Sequence, residues 1–128
     1  MRLLVIEDQP GDLQIAAKAA ESAGYSQVEA KSTVGAARVY LDKSLEGSQP
    51  LPDAIVLDLD LGYESGFELL RFWHGHPRLS RVPIVVWTIL GEEQREICRL
   101  FKVTAYISKQ DGITVLGETL SGLARAAS

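Results

Sequence analysis

Ala54-Ile55-Val56-Leu57-Asp58-Leu59-Asp60 is an apolar run of strand length that stops abruptly on carboxylates. A strand apolar at every position is tolerated only where both faces of its sheet are covered, as in a parallel sheet flanked by helices. Leu3-Leu4-Val5-Ile6 repeats the pattern and ends on Glu7-Asp8. Further along, Val82 to Trp87, with Pro83 near its start, ends on Thr88, and Thr104 to Ile107 ends on Ser108-Lys109. A weaker strand at residues 26–31 rests on the alternation of Val28 and Ala30.

Helical spacing fills the intervals. Pro10 opens a helix over residues 11–23 in which Leu13, Ala16, Ala17 and Ala20 share a face and Gly24 is the stop. Val34, Ala37, Leu41 and Leu45 mark a second helix, followed by a breaker-rich loop at 46–52. Gly62 and Gly66 bracket another loop before Phe67, Leu70 and Trp73 begin a third helix. Ile97, Leu100 and Phe101 give a fourth helical face, and from Asp111, the expected N-cap, Ile113, Leu116, Leu120 and Leu123 trace a closing helix. Five strands alternating with five helices predict an α/β protein whose right-handed crossovers leave few topologies. In such sheets the working site lies outside the carboxyl ends of the strands, and four of the strands here end in a chemically capable group.

The composition narrows the partners. The 128 residues, 14.0 kDa, suit one domain over 1–128 with no room for an appended effector. A hydrophobic content of 46% with 23% charged residues is that of a globular chain rather than a disordered one. A net charge of -4 and a pI of about 5.1 argue against direct nucleic-acid binding, which needs a basic surface. The single cysteine, Cys98, excludes an internal disulfide, and no apolar run is long enough for a signal peptide or membrane insertion. The expected location is the cytoplasm.

Taken singly, the strand-end residues have ordinary roles. Glu7-Asp8 suits the positive end of a helix dipole, Thr88 a capping hydroxyl, Lys109 a solvated surface charge and Asp58 the start of a turn. Jointly they demand more. Adjacent parallel strands crowd Glu7, Asp8 and Asp58 together, and two carboxylates about 4 Å apart repel by roughly 4 kcal/mol at an effective dielectric of about 20. Hard oxygen donors with no His or Cys among them suit Mg2+, which keeps waters and is bound through one or two carboxylates plus a phosphate. Phosphoryl transfer requires a nucleophile, a metal, a fixed cation and a hydroxyl donor, posts that Asp58, Mg2+, Lys109 and Thr88 fill.

With these elements in place the chain resembles, over essentially its whole length, the receiver domain of two-component response regulators. The matching anchors are Val5-Ile6-Glu7-Asp8, Val56-Leu57-Asp58-Leu59, Val85-Val86-Trp87-Thr88 and Tyr106-Ile107-Ser108-Lys109, in the family's order and spacing. The resemblance implies a flavodoxin-like, doubly wound five-stranded parallel sheet of order 2-1-3-4-5. It also implies that Asp58 accepts a phosphoryl group from a sensor histidine kinase, with Glu7, Asp8, Asp58 and the backbone carbonyl of Asp60 around Mg2+. Thr88 and Tyr106 would act as the switch pair. Output to a downstream protein, and homodimer formation, would use the face of the fourth helix, fifth strand and fifth helix. The opening Glu7-Asp8-Gln9-Pro10-Gly11-Asp12 looks most like stand-alone receivers serving phytochrome-type kinases.

Four positions depart from the family pattern. Gln110 stands where proline, often cis, is usual, and a non-proline cis bond costs about 2.5–4 kcal/mol, so a differently shaped loop is expected. Ile89 replaces a small residue beside the site and is expected to slow phosphoryl access or restrict Thr88. Leu61-Gly62 stands for Leu-Pro, and Val103-Thr104 for Gly-Ala. Two other readings compete. One is a receiver-like interaction module that is never phosphorylated. The other is a haloacid-dehalogenase-like phosphatase built on Asp58-Leu59-Asp60, which the position of Glu7-Asp8 upstream of that motif opposes. Trp87 is expected to serve packing, His74 and His76 to be surface residues rather than ligands, and Cys98 to be inert.

Overall fold

The runs apolar at every position become the interior strands of the sheet. In the computed structural model of the protein, which describes residues 1–127, β1 (Arg2–Ile6), β3 (Ala54–Leu57) and β4 (Ile84–Thr88) are buried along almost their whole length. The edges are β2 (Gln27–Lys31) and β5 (Ala105–Ser108). All neighbours are parallel in the order β2-β1-β3-β4-β5, the doubly wound order 2-1-3-4-5. Ala30 is exposed on edge strand β2, where only Val28 reaches the core, so the expected alternation serves half its purpose.

Alternate residues of the central strands feed two cores. Leu4, Ile6, Ile55, Leu57, Ile84 and Val86 meet α2 (Val34–Leu45), α3 (Phe67–Gly75) and α4 (Glu93–Leu100) through Leu41, Leu70, Trp73 and Cys98. Leu3, Val5, Val56, Val85 and Trp87 meet α1 (Pro10–Ser22) and α5 (Ile113–Ala127) through Ala16, Ala20, Leu116 and Leu120. Local chemistry starts the helices: Pro10 sits in the first turn of α1, and the Thr33 hydroxyl accepts the Ala36 amide at the start of α2.

Several boundaries differ from those read in sequence. Asp111 is not the N-cap of α5. It closes a 3-10 turn over Lys109–Asp111, and Gly112, at φ 88°, redirects the chain before the helix begins at Ile113. The inner line of α4 runs through Cys98 to Phe101, while Ile97 is exposed and Leu100 is 78% exposed. The helix is turned so that its smallest apolar residue faces the sheet. The stretch between Gly62 and Gly66, expected to be loop, is the turn and returning strand of a two-stranded hairpin in which Asp60–Leu61 pairs with Glu64–Ser65. Val82 lies outside β4 because a turn over Leu79–Arg81 precedes it, and its carbonyl accepts the Trp73 indole at 2.9 Å. No helix among the described residues is long and apolar enough to cross a membrane.

Candidate functional site

Strand register brings the strand-end residues together. Ile6 is opposite Leu57 and Leu57 opposite Val86, so Glu7 and Asp58 leave the sheet side by side, and Thr88 faces Ser108 one strand further on. Lys109 crosses to them. Its Nζ donates to Glu7 Oε1 at 2.6 Å, Asp12 Oδ2 at 2.8 Å and Asp58 Oδ2 at 2.9 Å, and it lies 4.9 Å from the centroid of the Trp87 ring. The other oxygens of the buried acids are held by backbone: Glu7 Oε2 accepts the Gln9 amide and Asp58 Oδ1 the Asp60 amide. Asp58 is only 3% exposed, yet it lines a cleft of about 230 Å³ with Asp8, Asp12, Asp60, Ile89 and Lys109. A larger groove of about 520 Å³ between α1 and α5 carries one carboxylate, Glu118, against Lys18 and Arg125, and has no comparable acidic cluster.

Electrostatics set these groups apart. Burial pushes the Glu7 carboxyl up to about 7, against the opposing pull of its bonds to Lys109 and Gln9, while the Asp58 charge adds to the rise. Burial alone would lower the Lys109 ammonium, but hydrogen bonds to Asp12, Glu7 and Asp58 outweigh it and hold the group protonated. Oxygens of Glu7, Asp8 and Asp58 lie within 4.8 Å of one another, and Asp8 Oδ1 is buried with no partner among the described residues. An orphaned, buried carboxylate oxygen beside two more acids fits a hard divalent cation, which would satisfy it and offset the mutual repulsion.

The remaining expected residues surround this cluster. Asp60 lies on the cleft wall with an exposed side chain. Thr88 is fully buried, and its hydroxyl oxygen accepts the Leu90 amide at 3.3 Å. Tyr106 stands outside the cleft, its hydroxyl within donating distance of the carbonyls of Leu90 (3.1 Å) and Gly91 (2.9 Å). Ile89 is 59% exposed at the mouth. Gln110 explains the loop shape: its amide donates to Ser108 Oγ, a bond proline cannot make, and no peptide bond among the described residues is cis. Trp87 packs at 3% exposure. Exposed His74 makes an edge contact with Phe101, and His76 Nδ1 accepts amides of the turn that follows it.

Three residues shape the site in ways that the sequence pattern does not indicate. Asp12, quoted above only as part of the opening motif, is an acid in the first turn of the helix leaving β1 and reaches back over the strand end to Lys109. Glu64, in the hairpin, accepts the Val34 amide and so ties the loop beside Asp58 to the start of α2. Gly66 packs directly on the Asp58–Leu59 backbone.

Fold and site together define a doubly wound α/β protein with a lysine-bridged acidic cluster at its carboxyl edge. No family model matches the chain. It is 34% identical over 95 residues, 74% of its length, to the phosphate regulon transcriptional regulatory protein PhoB of Pseudomonas aeruginosa, and spans only 38% of that protein. Against the polar-differentiation response regulator DivK of Brucella ovis it is 26% identical over 121 residues, covering 92% of this chain and 91% of the relative. The crystal structure of the phosphorylated cyanobacterial phytochrome response regulator RcpA matches with a TM-score of 0.77 at 26% identity, over 95% of this chain and 89% of that one. The chain belongs to the receiver domains of two-component response regulators, as the four sequence anchors indicate, and the phosphatase reading is set aside.

Proposed function

We propose that Asp58 is the phosphoacceptor of a two-component phosphorelay, taking its phosphoryl group from the phosphohistidine of a sensor histidine kinase. A carboxylate oxygen of Asp58 forms the new P–O bond as the P–N bond breaks. The departing imidazole nitrogen keeps the electron pair and is then protonated. The observation that carries this reading is the setting of Asp58: buried, gripped by Lys109 and the Asp60 amide, yet open to a cleft that Asp8 and Asp12 also line. Glu7, Asp8, Asp58 and the Asp60 carbonyl are the proposed Mg2+ ligands. Bound there, Mg2+ supplies positive charge against the phosphoryl oxygens. Lys109 provides a fixed cation for them, and the bond that Thr88 accepts from Leu90 leaves its hydroxyl proton to donate.

The same geometry supports a switch. Thr88 and the Leu90 and Gly91 carbonyls that hold Tyr106 belong to one short segment, so drawing Thr88 toward a phosphoryl oxygen disturbs the anchor of Tyr106. Arg95 stacks 4.8 Å from the centroid of the Tyr106 ring and donates to the Tyr106 carbonyl, which couples α4 to β5. On this reading the surface of α4, β5 and α5 is the output face for a downstream protein or for a second copy of the chain, a role that the link between α4 and β5 supports. Similarity to RcpA favours a phytochrome-type kinase as the input.

Incubation with Mg2+ and acetyl phosphate, followed by intact mass measurement, tests the reading. One base-labile phosphoryl adduct in the wild type that is lost in Asp58→Asn is expected. No adduct at saturating donor would leave the unphosphorylated interaction module.

A further inference from the structure

The Lys109 ammonium has three N–H donors, and all three are taken by carboxylates: Glu7 at 2.6 Å, Asp12 at 2.8 Å and Asp58 at 2.9 Å. None is left for a phosphoryl oxygen. If Lys109 is to hold that oxygen, one partner must let go. The Glu7 side chain is 1% exposed, so releasing it leaves a buried carboxyl without its partner, and Asp58, at 4%, is the group to which the phosphoryl oxygens are attached. The Asp12 side chain is 35% exposed and stands in the first turn of α1, where water and the positive end of the helix support its charge without Lys109. Asp12 also lines the cleft, so its charge opposes an arriving phosphate dianion.

We infer that Asp12 is a positioning residue that parks Lys109 while Asp58 is unphosphorylated and yields it to the phosphoryl group, so that Asp12 restrains the rate of phosphoryl acceptance. This rests on the proposed phosphoacceptor role of Asp58. The exchange needs no large movement, because Lys109 stays beside Glu7 and the Asp58 side chain and gives up only its bond to Asp12.

The test compares the full chain with Asp12→Asn and Asp12→Glu in Mg2+, following adduct formation by intact mass across a range of acetyl phosphate concentrations and at low and high salt. Asp12→Asn is expected to form the Asp58 adduct about threefold to tenfold faster than wild type, the range one partly screened unit charge a few ångströms away produces. Its advantage should shrink at high salt, and Asp12→Glu should behave as wild type. A merely structural Asp12 predicts the reverse, an equal or slower rate in Asp12→Asn with no salt-dependent difference, and that result overturns the inference while the phosphoacceptor reading stands. Absence of any adduct in the wild type overturns both. Circular dichroism of each variant separates a rate effect from loss of fold.

Discussion

Glu7 is 2% exposed, with Oε1 against Lys109 and Oε2 against the Gln9 amide, yet burial still raises its pKa from 4.5 to about 7. Between those two pH values the metal-free fold holds a proton on Glu7 that the unfolded chain has released. Stability from this group is therefore complete below pH 4.5, declines as pH rises toward about 7, and is level above it. Urea unfolding in a chelator at pH 5 and pH 8 checks this. The stability of Glu7→Gln relative to wild type should improve at the higher pH by on the order of a few kcal/mol. A difference that is the same at both pH values would refute the assignment. Cys98 is fully buried, and burial pushes its thiol up to about 11, which keeps it protonated and a poor nucleophile at neutral pH.

Among the elements, α3 matters to the site chiefly through the residue before it. A Cβ on Gly66 would collide with the Asp58 carbonyl oxygen and stand 2.8 Å from Leu59 Cα, both of them backbone atoms that cannot swing aside. Gly66→Ala is expected to cost about 1–3 kcal/mol and to displace the segment that carries Asp58. Gly75→Ala, at the other end of the same helix with nothing within 4 Å of its Cβ, should be neutral or stabilising by up to about 1 kcal/mol. Urea midpoints of the two variants measure the contrast, and equal midpoints would remove the close-approach explanation. The hairpin at Asp60–Ser65 belongs to the same assembly, since Glu64 fastens it to α2 and Gly66 seats it on β3.

Across the whole molecule, the modest net charge of -4 conceals an uneven distribution. Glu7, Asp8, Asp12 and Asp58 gather around one lysine, and the orphaned Asp8 Oδ1 leaves that cluster short of positive charge. A divalent cation that binds only the folded protein should therefore raise its melting temperature. Above its dissociation constant, stability should grow by about 1.4 kcal/mol per tenfold increase in Mg2+. Calorimetry at pH 8 over a Mg2+ series checks this, and Asp8→Asn should lose most of the gain. A melting temperature indifferent to millimolar Mg2+ would contradict the assigned ligands.

The sequence by itself determined the class of fold, because uninterrupted apolar runs such as Ile55-Val56-Leu57 are stable only between two layers of helix. It also placed Glu7, Asp8, Asp58, Thr88 and Lys109 at strand ends, since a run of apolar residues ends visibly where a charge or hydroxyl begins. Only the tertiary structure decided which partners those groups take. That Asp12 completes the shell of Lys109, that Cys98 rather than Leu100 faces the core from α4, and that Gly66 must lack a side chain all depend on register and helix rotation. Residue spacing leaves both undetermined, because a single-residue slip in a strand or a turn of about 100° in a helix presents a different set of side chains to the same neighbour.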